Sequence, residues 1–283
     1  MKKVIVILGQ TATGKSNLAV RIAKKINGEI ISADSRQVYK GLDIGTGKVT
    51  KKEMQGIPHH LLDVINPKNK FNVTEYQKQA ISAMADIIKR EKTPIICGGT
   101  GFYIDAITKG IIFPVVPPNN KLRFKLEQKS VKALFSILNK LDPKRAKDIE
   151  NKNELNNKVR LIRAIEIAKT LGSVPSITQA TPAYKFIKVG LYLPPNKLKK
   201  KIEKRVKRMF KEGLLKEIKK LKKLGVSDKR LREFGFEYYK PTPEKVISET
   251  FKYAKRQMTW FKRDHEIKWF DASKKNNAII KEL

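Results

Sequence analysis

The chain contains a single cysteine, Cys97, among its 283 residues. No disulfide can therefore form within the chain, and a zinc site built on several cysteines is excluded. The sequence also lacks any apolar run that is long enough to span a membrane. The apolar run at residues 4–8 follows two lysines, but it is too short for a signal peptide. We therefore predict a cytoplasmic protein without a membrane segment.

Acidic residues are scarce as well. Only 27 Asp and Glu oppose 62 Lys and Arg, which gives a formal net charge of +35. A field of this sign attracts polyanions, and neutralising their phosphates releases counterions. Nucleic acid is therefore the leading partner class. The alternative is an AT-rich genome, which would raise the lysine content without any role in nucleic-acid binding.

Short β-branched apolar runs alternate with segments of helical period. The runs lie at residues 4–8, 29–33, 94–97 and 187–193, with a weaker strand at 59–64 and a last one at 267–270. Apolar residues recur once per helical turn at residues 17–26, 76–90 and 249–262. Continuous apolar runs are typical of parallel strands that are buried on both faces. We predict an α/β fold, with a P-loop NTPase-like parallel sheet flanked by helices.

The pattern changes at residues 113–118, where several prolines break any regular element. Helical periods then run to residue 172, with an interruption near Asp142-Pro143, and a connector rich in Pro, Ser and Thr follows. A strand pattern resumes after this connector. We therefore predict a helical insertion domain at residues 115–182, within a catalytic core formed by residues 1–114 and 183–283.

Residues 198–224 predict one long basic helix. Its apolar face consists of Leu198, Ile202, Val206, Phe210, Leu214, Ile218 and Leu221. The other faces are mostly Lys and Arg, which is also what a solvated surface helix would show. Given the charge of the whole chain, we favour a helix that lies along the phosphates of a nucleic acid.

The segment Gly9-Gln10-Thr11-Ala12-Thr13-Gly14-Lys15-Ser16 fits the P-loop pattern G-x-x-x-x-G-K-[ST]. It follows a predicted strand and opens a predicted helix, which is the context that this pattern requires. Backbone N–H groups and the helix N-terminus would surround the phosphate oxygens. Lys15 would reach the terminal phosphate, and Ser16 would hold Mg²⁺. The loop predicts a phosphorylated ligand, and ATP and a diphosphate fit it equally well.

Ligands of open parallel sheets bind beyond the carboxyl ends of the strands. Two more predicted strands end at that edge, one at Asp34 and one at Gly98-Gly99-Thr100-Gly101. Asp34 is expected near the phosphates as a general base or a metal ligand, with a helix N-cap as the plainer alternative. Thr100 either touches the ligand or shapes its turn. We expect His59 and His60 to pack or to hydrogen-bond at a strand end rather than to bind a metal.

Several sequence blocks together resemble the tRNA dimethylallyltransferases, which are also called tRNA isopentenyltransferases. Besides the P-loop, the blocks are Ile31-Ser32-Ala33-Asp34-Ser35-Arg36-Gln37-Val38-Tyr39, Asp43-Ile44-Gly45-Thr46, Pro58-His59-His60-Leu61-Leu62-Asp63, Gly98-Gly99-Thr100-Gly101-Phe102-Tyr103, residues 160–166 and Tyr253-Ala254-Lys255-Arg256-Gln257-Met258-Thr259-Trp260-Phe261. The resemblance therefore runs nearly end to end. The Ser-Ala-Asp-Ser-Arg-Gln and Arg-Gln-x-Thr-Trp-Phe blocks are the specific ones.

The resemblance implies an enzyme that acts on RNA. Members of this family transfer a dimethylallyl group from dimethylallyl diphosphate to the exocyclic N6 amine of the adenosine 3′-adjacent to the tRNA anticodon. The product is N6-dimethylallyladenosine. The P-loop would then hold the leaving diphosphate with Mg²⁺ instead of ATP. The implied partners are dimethylallyl diphosphate and the anticodon stem-loop of tRNA, and we expect a monomer.

The resemblance also implies roles for residues at matching positions. Asp34 resembles the general base, Thr100 a threonine at the reacting centre, and Arg123 an arginine that binds the diphosphate or tRNA. We predict these three as catalytic residues, and residues 9–16 as the diphosphate-binding loop. The predicted tRNA contacts are Asp34, Ser35, Arg36, Gln37, Thr100, Arg123, Val159, Arg160, Arg163, Arg256, Gln257, Trp260 and Arg263.

Two other classes of protein share parts of the pattern. A small-molecule or nucleotide kinase would have the P-loop and could use residues 115–182 as its lid, but it does not need a charge of +35. A non-catalytic RNA-binding protein with a relic loop would bind tRNA equally well without Asp34. Phosphoryl transfer from ATP would support the first alternative, and tRNA binding without turnover would support the second.

Overall fold

The computed structural model describes residues 1–176 and 178–274. Its strands are β1 (Lys3–Gly9), β2 (Gly28–Ala33), β3 (His59–His60), β4 (Thr93–Gly98), β5 (Ile111–Ile112), β6 (Thr178–Gln179), β7 (Lys185–Tyr192) and β8 (Lys268–Asp271). Six of these form one sheet in the order β3-β2-β4-β1-β7-β8, in which every pairing is parallel. The remaining two, β5 and β6, form a separate antiparallel pair. The predicted α/β fold with a parallel sheet is confirmed.

Helices cover both faces of the main sheet. The helices of the described residues are α1 (Lys15–Lys25), α2 (Lys51–Met54), α3 (Val73–Lys89), α4 (Gly101–Thr108), α5 (Asn120–Glu127), α6 (Val131–Leu141), α7 (Pro143–Asn151), α8 (Lys158–Leu171), α9 (Pro195–Glu212), α10 (Leu214–Lys223), α11 (Asp228–Phe234) and α12 (Pro243–Phe261). Val4, Val6 and Leu8 of β1 pack with residues of α3 and α4, whereas Ile5 and Ile7 pack with α1. Because both faces are apolar, such a strand appears in the sequence as a continuous hydrophobic run.

The structure limits β3 to two residues, although a weak strand was predicted at 59–64. Leu61 has a φ of 62° and Asp63 a φ of 56°. A strand requires a negative φ, so the chain leaves the sheet directly after His60. No helix in the described part of the chain is long and apolar enough to cross a membrane.

The buried carboxylate of Glu29 contacts three basic side chains near β3, the edge strand of the sheet. It accepts hydrogen bonds from Arg90 and Lys92 and lies 2.7 Å from Nε2 of His60. The hydrogen bonds, led by that of Arg90, hold the pKa of Glu29 well below its usual range despite its burial. The cluster therefore ties β2 to β3 and to the start of β4, which gives His60 a hydrogen-bonding role.

The prediction of one long basic helix at residues 198–224 is wrong, because the segment forms two helices, α9 and α10, that are separated by Gly213. Gly213 has a φ of 105°, and its N–H donates to carbonyl groups of the last turn of α9. Glycine adopts this left-handed conformation at little cost, which makes it a frequent helix terminator. The predicted apolar positions are nevertheless buried in both helices, except for the half-buried Phe210.

The described residues divide into two compact units, one within residues 111–180 and the other formed by residues 1–110 together with 181–274. These bounds differ by a few residues from the predicted insertion at 115–182. At the N-terminal end the unit is longer than predicted, because Ile111 pairs with Gln179 and Ile112 pairs with Thr178, which adds residues 111–114 to the insertion. Strands of two residues are too short to leave a recognisable alternation in the sequence.

The insertion unit has a hydrophobic core of its own, which is formed by buried side chains of α5 to α8. Asp142 separates α6 from α7, as the sequence predicted. Its carboxylate accepts the N–H of Arg145 at the start of α7 (2.9 Å) and the N–H of Val174 (2.8 Å). Pro143 occupies the first turn of α7, where its missing N–H costs nothing.

Candidate active site

The P-loop connects β1 to α1 at the carboxyl edge of the main sheet. Gly9 ends β1 with a φ of 127°, and a Cβ atom on it would lie 2.1 Å from the carbonyl oxygen of Leu191 in β7. Gly14 has a φ of 90° and is the N-cap of α1. The path of the loop therefore requires glycine at both positions, once for space and once for conformation.

Buried polar groups shape the loop from within. The carbonyl oxygen of Gln10 accepts hydrogen bonds from Oγ1 of Thr13 (2.8 Å) and from Nζ of Lys15 (2.6 Å). The side chain of Gln10 accepts the N–H of Leu193 (3.3 Å). Burial lowers the pKa of Lys15 to about 8, because desolvation disfavours the charged ammonium group. An anion bound in the loop would favour the charged form again.

Asp34 follows β2 at the same edge of the sheet. Its Oδ1 accepts the backbone N–H of Arg36 (2.9 Å) and that of Gln37 (3.3 Å). Its Oδ2 forms no hydrogen bond to any described residue. One oxygen therefore accepts two N–H groups of the turn that follows β2. No helix begins at this turn, so the helix N-cap alternative is wrong. The other oxygen stays available on a half-buried side chain that lines a cavity.

Thr100 joins the turn after β4 to the turn after β2. Its Oγ1 accepts the N–H of Ser35 (3.1 Å) and donates to Oγ of Ser35 (3.4 Å), and its own N–H donates to the carbonyl of Ala33 (3.1 Å). Thr100 is the N-cap residue of α4, but its side chain does not cap that helix. These contacts favour the turn-shaping role. The contact of Thr100 with the reacting centre stays a prediction.

Gln257 of α12 bridges two of the turns. Its Oε1 accepts the N–H of Thr11 in the P-loop (2.8 Å), and its Nε2 donates to the carbonyl of Gly99 (2.9 Å). The side chain is buried, and a Cβ atom on Gly99 would lie 2.2 Å from Nε2. Both ends of the amide are therefore engaged within the chain, in a role that the sequence does not reveal. The predicted tRNA contact of Gln257 stays a prediction.

Arg205 of α9 is a cavity residue that the sequence analysis did not single out. Its Nη2 donates to the carbonyl oxygen of Thr46 (3.0 Å), and it has no ion pair with a carboxylate among the described residues. Burial lowers its pKa below the usual value, because the cation loses hydration. In the sequence Arg205 is one cation within a lysine-rich run, so no sequence signal distinguishes it from its neighbours.

Arg36 differs from Arg205 because a carboxylate compensates its charge. Its Nη1 lies 2.5 Å from Oε2 of the buried Glu237. Its guanidinium carbon is 5.8 Å from the ring centroids of both Phe236 and Tyr253, which is within the range of a cation–π contact. Arg205 forms no ion pair with a carboxylate in the described chain, although Asp34 and Glu237 are near enough to counter part of the lowering of its pKa. Of the two arginines, it is the one whose guanidinium group is not paired.

These turns and helices enclose a cavity of about 280 Å³, which is close to the lower end of the range for small-molecule sites. The residues predicted for the site that line it are Thr11, Ala12, Gly14, Lys15, Ser16, Asp34, Arg36, Gln37 and Gln257. Three other predicted loop residues, Gly9, Gln10 and Thr13, shape the loop instead. Unpredicted lining residues include Arg205, Arg208 and Tyr253.

The structure also bears on the predicted metal site. The described residues contain no group of three or more His, Cys, Asp or Glu side chains that could hold a metal ion. Ser16 is exposed in the first turn of α1 and lines the cavity. Its hydroxyl group therefore fits a Mg²⁺ ion that takes its other ligands from phosphate oxygens and water.

Three predicted tRNA contacts lie on or just after α12, outside the lining of the cavity. The guanidinium of Arg256 is 5.9 Å from the ring centroid of Tyr253, and that of Arg263 is 5.9 Å from the ring centroid of Trp260. Nε1 of Trp260 donates to the carboxylate of Asp105 (3.2 Å). Exposed arginines beside aromatic rings suit contacts with phosphates and bases, and the tRNA contacts of these residues stay predictions.

The remaining predicted residues belong to the insertion unit. The buried Glu166 accepts hydrogen bonds from Arg123, from Arg163 and from the N–H of Asn119. Burial alone would raise the pKa of Glu166, but these hydrogen bonds lower it to about 2. The structure thus gives Arg123 and Arg163 a partner within the insertion, and their predicted roles in catalysis and tRNA binding stay predictions.

Two more predicted tRNA contacts lie near the start of α8. Arg160 forms an ion pair with Glu154. Val159 is 79% exposed, which is unusual for a β-branched apolar side chain within a helix. An exposed valine beside a basic residue is compatible with the predicted contact with RNA, which stays a prediction.

A P-loop at the carboxyl edge of a parallel sheet, with a fixed aspartate and an arginine without an ion pair in the same cavity lining, defines a P-loop α/β enzyme that acts on a phosphorylated ligand. Comparison with known families narrows this class. The family model described as IPP transferase matches residues 37–264. The chain belongs to the IPP transferase family.

Individual relatives agree with this assignment. The chain is 39% identical to the tRNA dimethylallyltransferase of Anoxybacillus flavithermus, over 95% of this chain and 90% of the relative. It is 40% identical to that of Caldanaerobacter subterraneus subsp. tengcongensis, over 95% and 91%. The resemblance noted in the sequence is thereby confirmed.

Solved structures agree as well. The full-length tRNA isopentenylpyrophosphate transferase of Bacillus halodurans has a TM-score of 0.72 at 35% identity, and the match covers 100% of this chain and 94% of that one. A eukaryotic dimethylallyltransferase acting on tRNA has a TM-score of 0.77 at 28% identity, with coverage of 96% and 74%.

Proposed function

We propose that the protein transfers a dimethylallyl group from dimethylallyl diphosphate to the N6 amine of the adenosine 3′-adjacent to the tRNA anticodon. The observation that carries this proposal is the lining of one cavity. The P-loop, Arg205 and Asp34 with its free Oδ2 lie in the same lining, and we propose that the P-loop and Arg205 bind the diphosphate. An anionic leaving group and a proton acceptor are what this transfer needs.

Asp34 acts as the general base in this reaction. The amine nitrogen of adenosine attacks C1 of the dimethylallyl group, and the bond between C1 and the diphosphate oxygen breaks. The electron pair of that bond leaves with the diphosphate, and the amine proton passes to Oδ2 of Asp34. Because two backbone N–H groups hold Oδ1, the carboxylate is fixed in position before the substrate binds.

Other residues of the cavity lining would stabilise the leaving group. The P-loop, Lys15 and Arg205 line the cavity and would bind a diphosphate, whose negative charge grows as the bond breaks. We propose that Ser16 holds a Mg²⁺ ion with the diphosphate. The ion supplies further charge neutralisation at the leaving oxygens.

The acceptor tRNA is a polyanion, which accounts for the surplus of positive charge. The two basic helices α9 and α10 bury their apolar faces and expose lysines on their other faces. We propose that α9 contacts the phosphates of the anticodon stem-loop, because Arg205 and Arg208 of the same helix line the cavity. We further propose a monomer, since a single chain supplies the cavity lining.

The proposal is tested with two matched tRNA transcripts that differ only in the base 3′-adjacent to the anticodon. The transcript with adenosine should accept the dimethylallyl group, and the transcript with guanosine should not, because it lacks the exocyclic N6 amine. Equal transfer to both transcripts would contradict the proposed acceptor. Transfer of phosphate from ATP, with no prenyl transfer, would instead indicate a kinase.

The lowered pKa of Lys15 predicts a pH dependence of donor binding. Below about pH 8 the free protein has a charged Lys15, so the affinity for dimethylallyl diphosphate should be constant there. Above that pH the ammonium group is neutral before binding, and the affinity should fall as the pH rises. Equilibrium binding measured between pH 6.5 and 9.5 tests this result. In Lys15→Arg the decline should disappear, because a guanidinium group keeps its charge; an identical decline in both proteins would refute the assignment.

The contact between α9 and RNA predicts a change in salt dependence. Lys201 and Lys204 are exposed on α9, and the double variant Lys201→Gln/Lys204→Gln should bind the anticodon stem-loop more weakly. The slope of log affinity against log salt should become shallower by about one for each phosphate contact that is lost. The control is Lys78→Gln/Lys89→Gln, which removes two exposed lysines of α3 and should leave the slope unchanged. Equal slopes of log affinity against log salt for the two double variants would contradict the proposed contact between α9 and RNA.

A further inference from the structure

The carboxylate of Glu217 in α10 accepts three consecutive backbone N–H groups. Its Oε2 accepts those of Asp43 (3.1 Å) and Ile44 (2.7 Å), and its Oε1 accepts that of Gly45 (3.1 Å). The hydroxyl group of Tyr238 also donates to Oε1 (2.9 Å). Charge-assisted hydrogen bonds are stronger than neutral ones. With four of them on one side chain, Glu217 fixes the backbone that it contacts.

Residues 43–47 form a closed turn, which we call the clamp turn, and its far end holds Arg205. The N–H of Gly47 closes the turn onto the carbonyl of Ile44 (3.0 Å). The carbonyl of Thr46 accepts Nη2 of Arg205 (3.0 Å). Gly47 leaves room for the guanidinium, because a Cβ atom there would lie 2.1 Å from Nη2. The clamp turn thus contacts Glu217 at one end and Arg205 at the other.

Tyr238 fits the same arrangement. A Cβ atom on Gly45 would lie 2.5 Å from the ring of Tyr238, so the clamp turn packs directly on this buried aromatic residue. The ring in turn directs its hydroxyl group at Glu217. The clamp turn is therefore held by packing as well as by hydrogen bonds, and all of these groups belong to the described core unit.

The clamp turn fixes the position of the Arg205 guanidinium group before a ligand binds. An arginine has five N–H donors, and Arg205 shows one hydrogen bond in the described chain, to Thr46. Its other donors can serve a ligand in the cavity that it lines. A long side chain without a fixed position must lose rotamer freedom each time that a ligand binds, which lowers affinity. A fixed hydrogen bond from the guanidinium group to the clamp turn reduces that loss before binding.

We propose that Glu217 is a positioning residue for the diphosphate of the donor: it holds the clamp turn, and the clamp turn holds the Arg205 guanidinium against the cavity. This inference rests on the proposed function, because it assigns Glu217 to the leaving-group side of that reaction. Glu217 itself lies outside the cavity lining, so it would act on the ligand only through the clamp turn and Arg205.

The variant Glu217→Gln tests the inference. Glutamine has one acceptor oxygen and places an NH₂ group against backbone N–H donors, so the clamp turn should loosen. We expect the KM for dimethylallyl diphosphate and the dissociation constant of inorganic diphosphate to rise together by about tenfold. The KM for tRNA should stay within about twofold of the wild-type value. The variant Tyr238→Phe removes one of the hydrogen bonds to Glu217. It should also raise the KM for dimethylallyl diphosphate and the dissociation constant of inorganic diphosphate, but by a smaller factor.

Two controls separate positioning from a general loss of structure. Glu249→Gln on α12 removes a carboxylate that pairs with Lys252 at the surface. It should change neither the KM for dimethylallyl diphosphate nor the dissociation constant of inorganic diphosphate. In an Arg205→Gln background, Glu217→Gln should have little further effect, because both changes act on the same guanidinium group. A merely structural role predicts that Glu217→Gln lowers the melting temperature but leaves the KM for dimethylallyl diphosphate and the dissociation constant of inorganic diphosphate unchanged.

The inference is overturned if folded Glu217→Gln binds inorganic diphosphate as tightly as the wild type, or if its effect multiplies with that of Arg205→Gln. Should Glu217→Gln fail to fold, Tyr238→Phe is measured instead. Wild-type values of its KM for dimethylallyl diphosphate and of its dissociation constant for inorganic diphosphate would then overturn the inference. The direct diphosphate-binding measurement does not depend on prenyl transfer. An absence of transfer by the wild-type protein would therefore overturn the proposed function without deciding the role of Glu217.

Discussion

Asp34→Asn should lower the turnover number for dimethylallyl transfer to tRNA by roughly two to four powers of ten. The asparagine keeps an oxygen that can accept the N–H groups of Arg36 and Gln37, which Oδ1 of Asp34 accepts now. It loses the second carboxylate oxygen, so it cannot take the proton of the attacking amine. The shape of the turn is thus retained, while the base is removed. Single-turnover transfer measured with saturating tRNA and donor gives the effect on chemistry directly.

The control for this variant is Asp86→Asn on α3, which removes an exposed carboxylate that pairs with Arg90. It should have wild-type turnover. Asp34→Asn should bind the anticodon stem-loop nearly as tightly as the wild type, since the base acts on one proton and contributes little to a polyelectrolyte contact. Turnover of Asp34→Asn within a factor of two of the wild type would exclude Asp34 as the general base.

Arg205→Gln should produce the second large loss, lowering the turnover number by about 10²- to 10³-fold. Arg205 is the cavity arginine without a carboxylate partner among the described residues, so its charge is free to stabilise the departing diphosphate. Glutamine is shorter than arginine and has no charge, so it removes the cation from the cavity. Because negative charge on the diphosphate grows as the bond breaks, the loss should appear in turnover as well as in donor affinity.

Arg208→Gln is the matched comparison, because Arg208 lies one helical turn further along α9, lines the same cavity and pairs with Glu212. Its side chain is exposed and well hydrated, so its charge acts more weakly on a ligand and its removal should cost much less than that of Arg205. Inorganic diphosphate should inhibit Arg205→Gln more weakly than the wild type. Equal losses for the two arginines would mean that the charge of the whole helix matters and not the placement of one guanidinium group.

The sequence predicts the framework of this site well, for physical reasons. A parallel strand that is buried on both faces must be apolar along its whole length, so β1 and β4 are visible as runs. The P-loop needs glycine at position 9, because a Cβ atom would clash there, and at position 14, because φ is positive there. Asp34 was predicted near the phosphates because the ends of parallel strands meet at one edge, and the cavity lining includes it.

The parts that the sequence does not reveal depend on contacts between distant segments. Arg205 is one basic residue among many until its hydrogen bond to Thr46, 159 residues away, distinguishes it. Gln257 likewise bridges the P-loop and Gly99 from the far end of the chain. The end of α9 at Gly213 was missed because the apolar period continues across it, so periodicity alone predicted one helix.

Transfer of label from dimethylallyl diphosphate to a nucleoside of tRNA tests the central claim most directly. The purified protein is incubated with Mg²⁺, unmodified tRNA and donor labelled in the dimethylallyl group, and the RNA is then digested to nucleosides. The account predicts that the label is found in N6-dimethylallyladenosine, in an amount of about one per tRNA, and only when all components are present. An unlabelled tRNA, together with transfer of labelled phosphate from ATP to a small acceptor, would contradict the account and identify the P-loop as that of a kinase.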